Sequence, residues 1–209
     1  MKDFIERSSI APIVKQNLIA LNVKMKKMYM SSKKILKKEY MRMKSKTLYI
    51  ISGIPGSGKD YFLNKYFGNS SNVKIISRDV IRFSLIENND EYFSKESLVF
   101  SKFCKAIREA FDEYDIVVAN ATHLNERSRN KLLNSLGEDF LKDKLINCIY
   151  MDVPLKVALE RNAKREGLSL VPEDAIKRMY KSAYRPNYGE RYEYDKIYIV
   201  NEKGGITLL

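Results

Sequence analysis

One stretch of the chain has residue types and spacing that suit the binding of a polyphosphate. Residues 48–51 form an apolar, β-branched run, and residues 53–59 (GIPGSGK) then match the pattern G-x-x-x-x-G-K. The glycines allow a tight turn in which successive N–H groups point at an anion, and a helix expected over residues 61–67 adds its positive N-terminal end. The stretch therefore predicts a loop that binds nucleotide phosphates, with Lys59 on the β- and γ-phosphates. The alternative, a glycine-rich turn with a solvated lysine, leaves the flanking strand and helix unexplained.

The residue after this lysine departs from the usual pattern. Asp60 stands where Ser or Thr normally ligates Mg²⁺. A carboxylate is a suitable ligand, because hard cations prefer oxygen, but its charge would also repel phosphate. The sequence makes Asp60 the candidate metal ligand and leaves the mode of ligation open.

The positive charge of the chain is concentrated at its start. The 209 residues carry a net charge of +12, and residues 1–46 hold thirteen Lys/Arg against three Asp/Glu, a balance of +10. Residues 47–209 therefore carry only +2, so charge alone says little about nucleic-acid binding by that part. We expect two parts: a basic N-terminal extension over residues 1–46 and one domain over residues 47–209.

Three interpretations of the extension stay open. It is a basic arm that contacts nucleic acid or an anionic surface, a solvated helix, or, over residues 1–42, a leader that is not translated. The third rests on Lys38 and Glu39, whose codons can spell a ribosome-binding sequence shortly before Met43. Mass spectrometry of the native N-terminus would decide this, because an intact Met1 excludes a leader.

Composition argues against several classes of protein. Cys104 and Cys148 lie far apart in apolar segments without a C-x-x-C pattern, and His123 is the single histidine, so we expect reduced cysteines and no structural zinc. No apolar run approaches the ~20 residues of a membrane span, and no signal-peptide pattern is present. These features predict a cytoplasmic protein without a membrane partner.

Strands and helices alternate along the rest of the chain. Apolar runs at 72–77, 115–120, 145–151 and 196–200 join residues 48–51 as strands, which predicts a three-layer α/β fold with a mostly parallel sheet of about five strands. The intervening helices are expected at 92–112, from the N-cap Asn125, at 157–165, and from Pro172 at the first helical position to about 184. The apolar stripe expected to enter the core from 92–112 consists of Phe93, Leu98, Val99, Phe103, Ile107, Ala110 and Phe111.

Polar residues follow the second strand at the edge of the sheet where ligands bind in such folds. Asp79 at that position would accept a proton from a substrate hydroxyl, and Arg82 follows on the same helical face. The alternative, in which Asp79 caps a helix and Arg82 is a surface charge, is equally consistent with the spacing.

Two further positions allow a functional and a structural interpretation. Arg161 and Arg165, four residues apart, would lie on one face of the 157–165 helix and suit a helical lid that closes on phosphates. Alternatively, that helix is an ordinary charged surface helix. His123 could polarise a substrate group, but packing at a strand end suits it better, because no nucleophile or carboxylate partner is evident nearby.

Taken together, these segments resemble a known family. The segments GIPGSGK (53–59), SRDVIR (77–82), NATHLN (120–125), DVP (152–154), RNAKR (161–165), VP (171–172) and MYKS (179–182) occur in this order. The series resembles the kinase domain of the bacteriophage polynucleotide 5′-hydroxyl kinases, which are P-loop kinases often labelled AAA-type ATP-binding proteins. The resemblance covers residues 47–200.

The resemblance implies an ATP- and Mg²⁺-dependent kinase with a P-loop fold, whose partners are ATP and a 5′-hydroxyl end. It implies that Lys59 stabilises the phosphates, Asp79 is the general base and Arg165 neutralises the transferring phosphoryl. It further implies that Arg82 holds the acceptor's phosphate. The remaining implied contacts are with nucleotide (Gly53, Pro55, Gly56, Ser57, Gly58, Lys59, Asp60, Arg161 and Arg165) and with acceptor (Arg82, Asn120, Thr122 and His123).

Two positions depart from the family pattern. Asp60 replaces Ser or Thr, and Asn120 stands where the family usually has an Asp that orients the substrate-side arginine. Two alternatives to polynucleotide kinase activity therefore stay open. One is a kinase of a small acceptor such as a nucleoside, nucleotide, sugar or antibiotic. The other is an ATP-binding module without transfer activity.

Overall fold

The computed structural model describes residues 46–87, 93–189 and 194–209. The interpretations of residues 1–45 as arm, helix or leader lie outside the described residues. The strands are β1 (Thr47–Ser52), β2 (Val73–Ser77), β3 (Ile116–Asn120), β4 (Leu145–Asp152), β5 (Lys196–Asn201) and β6 (Ile206–Leu208). The helices are α1 (Lys59–Phe67), α2 (Arg78–Phe83), α3 (Glu96–Glu113), α4 (Glu126–Leu136), α5 (Glu138–Leu141), α6 (Leu155–Asn162) and α7 (Glu173–Ser182), with a 3₁₀ turn at Gly167–Ser169.

The six strands form one sheet in the order β2-β3-β1-β4-β5-β6. Five are parallel, as predicted, and β6 pairs antiparallel with β5. The prediction of about five strands missed β6, because Ile206–Leu208 is three residues long and exposed throughout, so it lacks the buried apolar run that marks the others. The first strand places the glycine-rich loop at the carboxyl edge of the sheet, between β3 and β4.

Alternate residues of the strands supply two separate hydrophobic layers. Leu48 and Ile50 pack on one face with residues of α3 and α4, whereas Ile51 packs on the other face with Phe62 and Leu63 of α1. All five of these side chains are at most 6% exposed. The predicted three-layer arrangement is therefore confirmed, with α1 on one side of the sheet and the long helix α3 on the other.

Helix α3 begins four residues later than expected and buries a narrower stripe. Phe93 and Leu98, which were predicted to be core, are 61% and 47% exposed. Phe93 precedes the helix, and its ring lies 5.4 Å from the guanidinium carbon of Arg82. The buried stripe of α3 therefore begins at Val99, which is 1% exposed.

The sixth helix ends earlier than its sequence pattern predicts. It stops at Asn162, whose buried amide donates to the carbonyl of Val171 (2.7 Å) and accepts from its N–H (3.2 Å). This pair of bonds closes residues 163–170 into a loop, so Arg165 lies outside the helix. Pro172, which the sequence pattern predicts as the first helical residue of α7, is its N-cap, so the helix begins one residue later than predicted.

The remaining sequence-based expectations concern cysteines, metals and membranes. Cys104 and Cys148 are buried free thiols, as predicted. Within the described ranges, no group of three or more His, Cys, Asp and Glu side chains is placed to hold a metal ion. Over the same ranges, no helix combines the length and apolarity that a bilayer crossing needs.

Candidate active site

The glycine-rich loop between β1 and α1 depends on two glycines for its shape. Gly56 has φ +80°, and a Cβ there would overlap the backbone carbonyl of Ala158 on α6. Gly58, with φ +91°, is the N-cap of α1. Both positions need the left-handed conformation that glycine adopts at little cost, so the loop is held close against α6.

Neighbouring segments fix both ends of this loop. At its start, the N–H of Gly53 donates to the carbonyl of Thr122 (2.9 Å), and Ser52 Oγ donates to the carbonyl of His123 (2.7 Å). Near its end, Arg161 Nη1 donates to the carbonyl of Ser57 (3.4 Å). The predicted nucleotide-contacting residues from Gly53 to Ser57 are buried, and Lys59 and Asp60 follow in the first turn of α1.

The side chain of Lys59 folds back onto its own loop. Its Nζ donates to the carbonyls of Gly53 (3.0 Å) and Ile54 (3.1 Å). Burial lowers the Lys59 pKa to about 8; the carboxylates of Asp60 and Asp79 oppose this shift, and the positive charge of Arg165 adds to it. Asp79 and Arg165, the other two predicted catalytic residues, therefore lie within electrostatic range of Lys59, as does Asp60.

The residues after β2 form an ion-pair network at the same edge of the sheet. Ser77 caps α2, so Asp79 is not the cap, and its carboxylate is 60% exposed and paired with Arg82. Arg82 has a side chain only 7% exposed, which excludes the surface-charge alternative. Its Nε (3.2 Å) and Nη2 (2.9 Å) both donate to Oε2 of Glu96.

Glu96 is a site residue that the sequence did not identify. Its second carboxylate oxygen, Oε1, accepts from Arg78, whose guanidinium carbon also lies 5.0 Å from the ring centre of Phe100. One carboxylate at the start of α3 therefore orients two arginines of α2. In the family pattern this role belongs to an Asp at position 120, which is Asn120 in this chain, and the sequence carries no local motif that would point to Glu96.

The two positions that depart from the family pattern are in direct contact. Asn120 Nδ2 donates to Oδ1 of Asp60 at 2.8 Å. Asn120 is 7% exposed at the end of β3, whereas Asp60 is exposed. Asn120 therefore faces the first turn of α1 and donates to the carboxylate of Asp60.

His123 is buried in an unusual backbone conformation. It has φ +40° and is 3% exposed, and its carbonyl accepts from both Ser52 Oγ and Arg129 Nη1. Burial, reinforced by the charges of Arg78, Arg129 and Lys59, lowers the His123 pKa to about 3, so the ring is neutral. These features match the interpretation of His123 as a packed residue at a strand end.

The two arginines of the predicted lid do not share a helical face. Arg161 lies in α6 and spans from Ser57 to the carbonyl of Glu202, to which its Nη2 donates at 2.8 Å. Arg165 lies in the 163–170 loop, and its Nη1 donates to the carbonyl of Ser169 (3.4 Å). The expected i, i+4 pair is wrong because the helix ends at Asn162, yet both arginines approach the phosphate-binding loop.

The donor set near Lys59 suits a hard cation. The exposed carboxylate of Asp60 lies in the first turn of α1, directly after the phosphate-binding loop, and its Oδ1 accepts from Asn120 Nδ2 at 2.8 Å. Mg²⁺ is commonly bound through one or two carboxylates together with substrate phosphates and water. The residues present therefore fit Mg²⁺ bound with a nucleotide.

Comparison with known proteins agrees with this architecture. The family model described as AAA domain matches residues 48–186, well over half of the chain. A protein of Autographa californica nuclear polyhedrosis virus, provisionally named bifunctional polynucleotide kinase/RNA ligase, is 29% identical over 166 residues. That match covers 71% of this chain and 22% of the viral protein, so the chain spans about a fifth of its relative's length.

Solved structures share the fold at low sequence identity. The Pnkp1/Rnl/Hen1 RNA repair complex has a chain that superposes with a TM-score of 0.55 at 20% identity, over 66% of this chain and 44% of the other. A fungal RNA kinase gives 0.53 at 15% identity (75% and 74%), and a sugar kinase from Janibacter sp. HTCC2649 gives 0.50 at 15% (77% and 87%). The chain has the fold of the P-loop kinases and belongs to the AAA domain family.

Proposed function

We propose that this protein transfers the γ-phosphate of ATP to a hydroxyl group, most readily the 5′-hydroxyl of a polynucleotide. The proposal is supported by the electrostatic effects of Asp79 and Arg165 on Lys59, whose Nζ donates to the backbone of the phosphate-binding loop. Phosphoryl transfer asks a protein mainly for positioning and charge stabilisation. A half-buried cation, an exposed carboxylate and a loop arginine beside a phosphate-binding loop supply both.

Each group has a distinct task in this mechanism. Lys59 leaves the carbonyls of Gly53 and Ile54 and holds the phosphates, and Arg165 neutralises charge on the group in transfer. Asp79 orients the attacking hydroxyl and accepts its proton, since its carboxylate is exposed at the site. Asp60 would hold Mg²⁺, which, when bound with ATP, offsets the charge of the phosphate oxygens.

The acceptor side favours a substrate that carries its own phosphate. Arg82 is buried and pre-oriented by Glu96, so its guanidinium is fixed beside Asp79. A fixed guanidinium fork matches phosphate oxygens, and in a polynucleotide the nearest phosphate adjoins the 5′-terminal nucleoside. The name of the viral relative gives this acceptor further support.

The test is a γ-phosphate transfer assay with Mg²⁺ and ATP. The acceptors are a 5′-hydroxyl oligonucleotide with an internal phosphate and a panel of nucleosides, nucleotides and sugars. Asp79→Asn should reduce transfer by about 10²–10⁴-fold, the usual contribution of a general base, while ATP affinity stays nearly unchanged. Asp139→Asn is the matched control, because Asp139 is a fully exposed carboxylate on α5.

The outcomes separate the alternatives. Transfer to the oligonucleotide that Asp79→Asn abolishes and Asp139→Asn preserves supports the proposal. Transfer to small acceptors alone would keep the roles of Lys59 and Asp79 and replace the substrate. Binding of ATP without transfer to any acceptor would refute kinase activity and leave an ATP-binding module.

A further inference from the structure

We propose that Asp60 and Asn120 form one metal-positioning pair, in which the carboxylate lies in the first turn of α1, next to the phosphate-binding loop, and its neutral partner lies on the sheet. This inference rests on the proposed function, because it concerns Mg²⁺ bound with a nucleotide at the same site. It assigns to Asn120 the role of a positioning residue that acts through Asp60. The prediction from the family pattern had placed Asn120 on the acceptor side.

The contact between the two residues is specific. Asn120 is buried at the carboxyl end of β3, next to β1, and Asn120 Nδ2 lies 2.8 Å from Oδ1 of Asp60. An ionised carboxylate has no hydrogen to donate, so only the NH₂ group of the amide can face it. The hydrogen bond therefore fixes both the orientation of the Asn120 amide and the side chain of Asp60.

The chemistry of the two positions explains why both depart from the common pattern. In P-loop NTPases, Mg²⁺ is held by a Ser or Thr of the loop and by a Walker-B Asp, a role that differs from the arginine-orienting one that the family pattern implies for an Asp at position 120. Here the loop position carries the carboxylate, and the strand-end position carries a neutral hydrogen-bonding group. The pair therefore keeps one carboxylate, at position 60 instead of position 120.

The exchange makes the two positions interdependent. Asn120→Asp alone would place two carboxylates in contact, and like charges at that distance oppose each other's ionisation. Asp60→Ser alone would remove the only carboxylate of the pair, so the amide of Asn120 would face a hydroxyl. Both changes together restore a hydroxyl that donates to a carboxylate. We therefore expect each single variant to impair the metal site and the double variant to recover it.

The experiment measures nucleotide binding, so it does not depend on catalysis. A fluorescent ATP analogue is titrated into the full chain in EDTA and at increasing Mg²⁺, which gives a metal-free Kd and the Mg²⁺ concentration at half effect. The variants are Asn120→Leu, Asn120→Asp, Asp60→Ser and the Asp60→Ser/Asn120→Asp pair. Asn147→Leu is the matched control, because Asn147 is an equally buried amide on β4, paired in register with Tyr49.

We expect Asn120→Leu to raise the Mg²⁺ midpoint by about 10–100-fold, the usual cost of losing the partner of a metal ligand. Its metal-free Kd should equal that of the unmodified protein, because the lost group touches Asp60 and carries no charge. The double variant should have a midpoint far closer to that of the unmodified protein than either Asp60→Ser or Asn120→Asp has. Asn147→Leu should leave the midpoint unchanged.

If the unmodified protein binds the ATP analogue, either of two results would overturn the inference. The first is an Mg²⁺ midpoint in Asn120→Leu equal to that of the unmodified protein. The second is an Mg²⁺ midpoint in the double variant as high as that of Asp60→Ser. Circular dichroism and thermal melting of every variant show whether a loss reflects unfolding, and Asn120→Leu serves as the decisive variant if Asn120→Asp does not fold. Failure of the unmodified protein to bind the analogue at any Mg²⁺ concentration would instead refute the proposed function.

Discussion

The neutral, buried ring of His123 makes the stability of the domain sensitive to acid. The perturbation is a change from pH 7 to pH 5, made in the unmodified protein and in His123→Asn. Asparagine is chosen because it does not titrate and tolerates the left-handed backbone that φ +40° requires. Any difference between the two proteins in their response to pH then reports on the imidazole.

The expected magnitude follows from the two pKa values of His123. Its pKa falls from 6.5 to about 3 on folding, chiefly because burial disfavours the charged ring. Below pH 6.5 the unfolded chain therefore binds a proton that the folded chain does not, so stability decreases as the pH falls toward 3. At pH 5, which is about 1.5 units below the unfolded-state pKa, protonation of His123 in the unfolded chain lowers the free energy of unfolding by about 2 kcal/mol, at about 1.36 kcal/mol per unit.

Urea unfolding at both pH values measures this difference by linear extrapolation. We expect the unmodified protein to lose about 2 kcal/mol more between pH 7 and pH 5 than His123→Asn loses. Titrating carboxylates contribute to both proteins and cancel in the comparison. Equal losses in the two proteins would show that the folded ring accepts a proton freely, which would refute the description of His123 as a buried neutral residue.

Two further predictions concern the site itself. Because the Lys59 pKa is lowered to about 8, ATP binding at pH 8 should take up about half a proton as phosphate restores the ammonium. Calorimetry in buffers of different ionisation enthalpy checks this, and Lys59→Arg, which stays charged, should show none. Glu96→Gln should raise the acceptor KM about tenfold with the ATP KM unchanged, since Arg82 loses a charge-assisted partner worth about 1.5–3 kcal/mol. The control Glu109→Gln, which changes an exposed carboxylate on the same helix, should leave the acceptor KM unchanged. An unchanged acceptor KM in Glu96→Gln would contradict the prediction.

The elements of the fold that the sequence predicts are those encoded by local pattern. Strands β1 to β5 are short apolar runs, and the loop at residues 53–59 has the glycine and lysine spacing of a phosphate-binding loop. Asn125 is the N-cap of α4, as expected, and its side chain accepts from the backbone N–H of Ser128. Such features depend on neighbours within a few positions, so one sequence is enough to find them.

The features that escaped prediction depend on residues far apart in sequence. Helix α6 ends because Asn162 bonds the backbone of Val171, although the helical pattern continues past it. The orientation of Arg82 comes from Glu96, fourteen positions away, across a segment with no motif. The pairing of Asp60 with Asn120 joins two elements that meet only once the sheet has formed. Periodicity carries no information about these contacts.

The position of Arg161 has a consequence for the far end of the chain. Its guanidinium spans the carbonyl of Ser57 in the loop and that of Glu202 in the turn between β5 and β6. A phosphate that drew this guanidinium away would release the Glu202 carbonyl, so the terminal hairpin would loosen as the nucleotide site fills. Amide hydrogen exchange in β6, an exposed strand at the edge of the sheet and three strands from β1, would then act as a reporter of occupancy. A substitution in the hairpin would in turn alter how readily Arg161 leaves it, and so change nucleotide affinity from outside the pocket.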